Sequence, residues 1–236
     1  MSVRRSVTPA PRERLAEALG RRSRPPTLAA DQVLPVPAAF QPLLPGHGLR
    51  RGSTVAVSRS ASLALALVAG ASAAGSWVAA VGLPDLGVVA AAESGLALER
   101  LALVPYPRPE VWATVVATLL DAIDVVLVRT PSGLRAADAR RLSARARERG
   151  AVLIPLGTWS EPADLRLAVT ASEWQGLGQG HGRLESRWVE VVAGGRGAAT
   201  RERRAWLWLP GPAAARGGPY VELAAAPARL PDVSSR

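Results

Sequence analysis

Residues 48–67 read GLRRGSTVAVSRSASLALAL and place a short apolar strand directly before a helix that is apolar on nearly every face. We predict the strand at Thr54–Val57 and the helix at Ser60–Ala74. A helix without a polar face must be buried on several sides, because no stripe of it suits solvent. A buried helix that directly follows a buried strand is typical of βαβ units, so this stretch predicts an α/β domain.

The same alternation continues beyond this unit. Four further strands and three helices are predicted, in chain order, at 76–81, 84–95, 101–104, 109–122, 124–128, 135–149 and 151–155. The strand DVVLV (124–128) is apolar after its first residue, as expected for a strand buried on both faces of a parallel sheet. After Pro155 apolar and polar residues alternate, which indicates antiparallel strands closing one edge. The predicted fold class is therefore α/β, with a mostly parallel sheet flanked by helices and antiparallel strands at its C-terminal edge.

Composition shifts divide the chain into three parts. We expect residues 1–45 to form a basic leader and linker, in which 11–22 is either a docking helix or a frayed terminus and 35–45 is a Pro-rich extended linker. Residues 46–209 form the predicted core. Residues 210–236 are rich in Ala, Gly and Pro with few large apolar side chains, which favours a disordered tail.

The charged residues narrow the possible functions. The chain has no Cys and a net charge of +10, and all 29 of its Lys-or-Arg residues are Arg. Disulfides, thiolate metal sites and lysine chemistry are thereby excluded. The positive charge indicates either a polyanionic or acidic partner or a dispersed solvated surface. The first residues lack the apolar region of a signal peptide, and the most apolar stretch is shorter than a bilayer span, so we expect a cytoplasmic protein without membrane contact.

The turn between the first strand and its helix is where phosphate-binding folds hold a Gly-rich loop, a Lys and a hydroxyl. Here the turn is Ser58, Arg59, Ser60, Ala61 and Ser62, with no Gly, no Lys and too few residues for that loop. We predict that the serines cap the helix. The strand DVVLV then runs into Arg129, where a Walker B strand would end in an acid that handles magnesium. Both changes predict a protein without hydrolysis, metal or cofactor.

Two sets of side chains are candidate contacts for DNA or a protein partner. Arg141, Arg145 and Arg149 fall on one stripe of the helix 135–149, which is either a binding stripe or an ordinary solvated face. Trp206 and Trp208 alternate with Leu207 and Leu209. One of these two pairs either anchors a partner or packs beneath a helix, since Trp and Arg dominate interface hot spots.

The order of these motifs resembles the RecA recombinase core. The segments that carry the resemblance are GHGLRRGSTVAV (46–57), ESGLALERLALV (93–104), DVVLV (124–128), ADLRLAVTASEW (163–174), RWVEVVAGGRG (187–197) and RRAWLWLPG (203–211). More closely, the chain resembles ImuA-type RecA-like proteins of actinobacteria, which belong to a damage-induced mutagenesis cassette. The resemblance implies a RecA-like core and two partners: an ImuB-like Y-family polymerase homologue and, indirectly, an error-prone DnaE-type polymerase.

The resemblance also implies what is missing. The catalytic Glu of RecA proteins would fall near Leu83, and the two DNA-gripping loops shrink to 129–134 and 156–163. We therefore expect a non-catalytic RecA-like adaptor that supports error-prone translesion synthesis in the SOS response by binding an ImuB-like protein. Two alternatives stay open: a divergent DNA-dependent ATPase that uses Arg59 in place of Lys, and a cell-division inhibitor resembling SulA.

Overall fold

The computed structural model describes residues 33–58, 60–177, 182–214 and 217–226. Within these ranges the chain forms a nine-stranded sheet flanked by helices and a small two-stranded sheet. The small sheet pairs β1 (Val33–Leu34) with β2 (Leu49–Arg50) in antiparallel register. No helix in the described part of the chain is long and apolar enough to cross a membrane.

The parallel half of the large sheet holds five strands. They are β3 (Val55–Ser58), β4 (Val78–Val81), β5 (Leu101–Val104), β6 (Val125–Arg129) and β7 (Val152–Leu156). Their spatial order is β3-β7-β6-β4-β5, so β5 is an edge and the strand of the first βαβ unit lies inside the sheet. The short apolar runs of β3, β4, β6 and β7 fit burial on both faces, whereas β5 is partly exposed at the edge. The structure thus confirms an α/β chain with a mostly parallel sheet.

Four helices cover the two faces of this half. They are α1 (Ala61–Ala73), α2 (Val88–Glu93), α3 (Trp112–Ala122) and α4 (Ala136–Arg149). Helices α1 and α2 pack on one face, whereas α3 and α4 pack on the other. Helix α4 ends at Gly150 in the left-handed conformation (φ 64°), as its glycine predicted. The prediction that a helix starts at Pro84 is wrong, because Pro84 and Asp85 form a turn and α2 starts only at Val88.

The antiparallel half extends the sheet beyond β3. Strand β8 (Leu165–Leu177) pairs parallel with β3 and antiparallel with β9 (Gly182–Gly195), and β9 pairs with β10 (Arg203–Trp208). The prediction of antiparallel strands at the C-terminal edge is therefore confirmed. A further strand, β11 (Glu222–Ala224), pairs with β10 and lies within the segment that we expected to be a disordered tail. The sheet thus continues past the predicted boundary at residue 209.

The described fold also begins before the predicted core, and the predicted segment at 11–22 lies outside the described residues. A 3₁₀ helix spans Ala38–Leu43, and within it Phe40 and Leu43 are fully buried in the same core as α1. The expectation of an extended linker at 35–45 is therefore wrong. Pro residues are compatible with a 3₁₀ turn, and the apolar side chains between them close one end of the core.

Candidate functional site

The turn that follows β3 is the first part of the site. Ser60 is the N-cap of α1, and its hydroxyl accepts a hydrogen bond from the Leu63 N–H at 3.2 Å. The Ser60 and Ser62 hydroxyl oxygens lie 3.3 Å apart. Ser58 ends β3 with an exposed side chain, Ala61 is exposed at the start of α1, and Arg59 lies outside the described residues. The prediction that a serine caps the helix is confirmed for Ser60.

Replacing Ser60 with alanine should destabilise the protein by about 1 kcal/mol, because the Leu63 N–H loses its acceptor. Urea denaturation of the two proteins measures the difference. Ser62→Ala is the matched control, since it removes a hydroxyl from the same turn without removing the cap, and we expect a change below about 0.5 kcal/mol. Equal losses in the two variants would contradict the capping role.

An open cleft of about 520 Å³ lies beside this turn. Its walls are Ser58, Ser60–Ser62, residues 169–172 of β8 and Arg187 of β9. The buried Arg187 Nε has no hydrogen-bond partner among the described residues, and burial lowers the pKa of this guanidinium. The guanidinium carbon lies 5.7 Å from the centre of the Trp174 ring. One cation and a helix N-terminus attract anions, but no described residue of this wall replaces the lysine and the Gly-rich loop of a nucleotide site.

The carboxyl end of β6 is the second part of the site. Arg129 ends this strand with its side chain 53% exposed, and its Nη2 lies 3.9 Å from the Asp85 carboxylate. A guanidinium at this place repels a divalent cation, and the Asp85 carboxylate beside it is 83% exposed. Leu83, where the resemblance places a catalytic Glu, is buried in the core. No cluster of His, Cys, Asp or Glu suited to a metal occurs within the described ranges.

Asp124, the acid of the DVVLV segment, lies at the opposite end of the sheet. Its carboxylate accepts hydrogen bonds from Arg51 Nη1 at 2.9 Å and from the Trp77 N–H at 3.0 Å. These contacts fix the amino ends of β4 and β6, so Asp124 is a structural residue. Asp124 precedes β6, whereas a Walker B strand carries its acid at the carboxyl end.

The arginine stripe of α4 is paired within the molecule. Arg145 donates two hydrogen bonds to the carboxylate of Asp121 on α3, from Nε at 2.6 Å and from Nη2 at 2.7 Å. Arg149 Nε lies 3.2 Å from the same carboxylate, and Arg141 Nη1 lies 3.6 Å from Asp138. The stripe therefore joins α4 to α3, and Asp121 and Asp138 offset much of the charge that a DNA contact would use. Sequence spacing alone could not reveal that an acid on another helix faces these arginines.

The Asp121 contacts predict that the stability of the protein depends on pH. The hydrogen bond from Arg145 lowers the pKa of the Asp121 carboxyl, whose value in an unfolded chain is about 3.9. A lowered folded-state pKa gives stability that is present above the unfolded value and is lost as the pH falls through the folded value. The wild-type protein should therefore have a higher melting temperature than Asp121→Asn at pH 7. This difference should disappear below about pH 4. Asp85→Asn, which removes one charge of an exposed pair, should have nearly the same melting temperature as the wild-type protein at any pH.

The tryptophans of the antiparallel half are the third part of the site. Trp188 and Trp206 stack with ring centres 4.0 Å apart and planes 7° from parallel, and Trp208 pairs in register with Trp188. Leu207 and Leu209 are fully buried under the opposite face. Trp206 and Trp208 stay partly exposed, so the structure places this pair, rather than the leucines, on the open side of β10. Their stacking partner Trp188 was not among the predicted contacts, since only the strand register brings it beside Trp206.

These features lie on a scaffold that comparison with known proteins assigns to a family. Residues 42–161, about half of the chain, match the model of the MT3502 N-terminal domain. The chain belongs to this family. The MT3502 N-terminal domain match covers β3 to β7 and stops before the antiparallel strands. The chain is also 35% identical over 166 residues to the uncharacterised protein Rv3395c of Mycobacterium tuberculosis, an alignment that covers 69% of this chain and 74% of the relative.

Proposed function

We propose that this chain is a non-catalytic RecA-like adaptor of the ImuA type, which supports error-prone translesion DNA synthesis after DNA damage by binding an ImuB-like polymerase homologue. The proposal depends on what occupies the two positions at which a RecA-type ATPase would bind phosphate and metal. The Ser60 hydroxyl caps α1, and Arg129, beside Asp85, occupies the end of β6. A scaffold that keeps its strands while its phosphate and metal positions hold other contacts is suited to binding rather than to turnover.

Three further observations support the adaptor. The parallel half with antiparallel strands at one edge agrees with the architecture that the RecA resemblance implies. The mycobacterial relative fits the actinobacterial source of ImuA-type proteins. In addition, partly exposed tryptophans on the antiparallel half offer the kind of side chains that dominate protein interfaces.

The test uses the full chain and the ImuB-like homologue from the same genome. We expect direct binding in calorimetry, and no phosphate release from Mg-ATP above background with or without single-stranded DNA. An active recombinase run in parallel shows that the assay detects turnover. Phosphate release by this chain would overturn the non-catalytic proposal, and absence of binding to the ImuB-like protein would overturn the adaptor proposal.

A divergent DNA-dependent ATPase is the second candidate, and the cleft beside α1 favours it. The helix N-terminus, the Ser62 hydroxyl and the Arg187 guanidinium face one space there, a combination that attracts phosphate. In this case Arg59 would take the place of the usual lysine. DNA-stimulated phosphate release that is lost in Arg59→Ala and kept in Arg108→Ala would establish this activity.

A further inference from the structure

We draw no further inference here: the strongest candidate, the exposed apolar surface patch around Leu103 and Tyr106 along the edge strand β5, carries exposed charges of both signs, and nothing in the described part of the chain shows what covers it.

Discussion

Replacing Gly70 with leucine should destabilise the protein by about 3 kcal/mol, one of the two largest effects that we expect from a single substitution. Gly70 lies inside α1, where the main chain of residues 35–36 crosses the helix. A Cβ on Gly70 would lie 2.8 Å from the Val36 Cα and 2.9 Å from the Pro35 carbonyl oxygen. Both neighbours are main-chain atoms, so either the crossing segment or the helix must move.

Urea denaturation of Gly70→Leu measures this loss, and Ala73→Leu is the matched control on the same helix. Ala73 is exposed, so the control should stay within about 0.5 kcal/mol of the wild-type protein. Gly70→Ala should lie between the two, because alanine gains about 1 kcal/mol of helix propensity that partly offsets the clash. Equal stabilities of Gly70→Leu and Ala73→Leu would show that residues 35–36 do not lie against α1.

The Gly70 contact also explains why the start of the domain was not predictable. A glycine within an otherwise buried helix indicates a close approach, but the sequence does not say which segment approaches. Residues 35–45 contain several prolines, and local composition favoured a linker. Phe40 and Leu43 are buried because they pack into the core that also contains α1. This contact is a property of the assembled fold and cannot be read from the segment itself.

The parallel strands were predictable because their burial is visible in their own sequence. A strand such as Val125–Val128 is covered on both faces, so every position must be apolar and the run is visible without knowledge of its neighbours. Helix α1 was located in the same way, because it is apolar on nearly every face. Helix α2 was placed four residues too early because Pro84 suits a first helical turn as well as the tight turn that it actually forms.

The site was predictable only where one segment makes its own contacts. The Ser60 cap lies within a few residues of its partner, and it was predicted. Three features depend instead on residues distant in sequence: the pairing of Arg145 with Asp121, the stacking of Trp188 on Trp206, and the place of Arg187 in the cleft. In each case a residue of ordinary type becomes distinctive through strand register or helix packing, neither of which a single sequence shows.

Asp124→Ala should destabilise the protein by about 3 kcal/mol, because it leaves a partly buried cation and a main-chain donor without their acceptor. The side chain of Asp124 is 19% exposed and that of Arg51 is 31% exposed, so water replaces the lost contacts poorly. Arg51 belongs to the turn before β3, and the Trp77 N–H precedes β4. The carboxylate therefore ties the first strand unit to the amino ends of β4 and β6.

Three variants separate this structural role from a catalytic one. Asp124→Asn keeps an acceptor for the Trp77 N–H but loses the charge that faces Arg51, so it should cost about half as much as Asp124→Ala. Asp85→Ala removes a carboxylate that is 83% exposed and should cost less than about 0.5 kcal/mol in the same urea titration. If Asp124→Ala proved as stable as Asp85→Ala, the carboxylate would not be holding the amino end of the sheet.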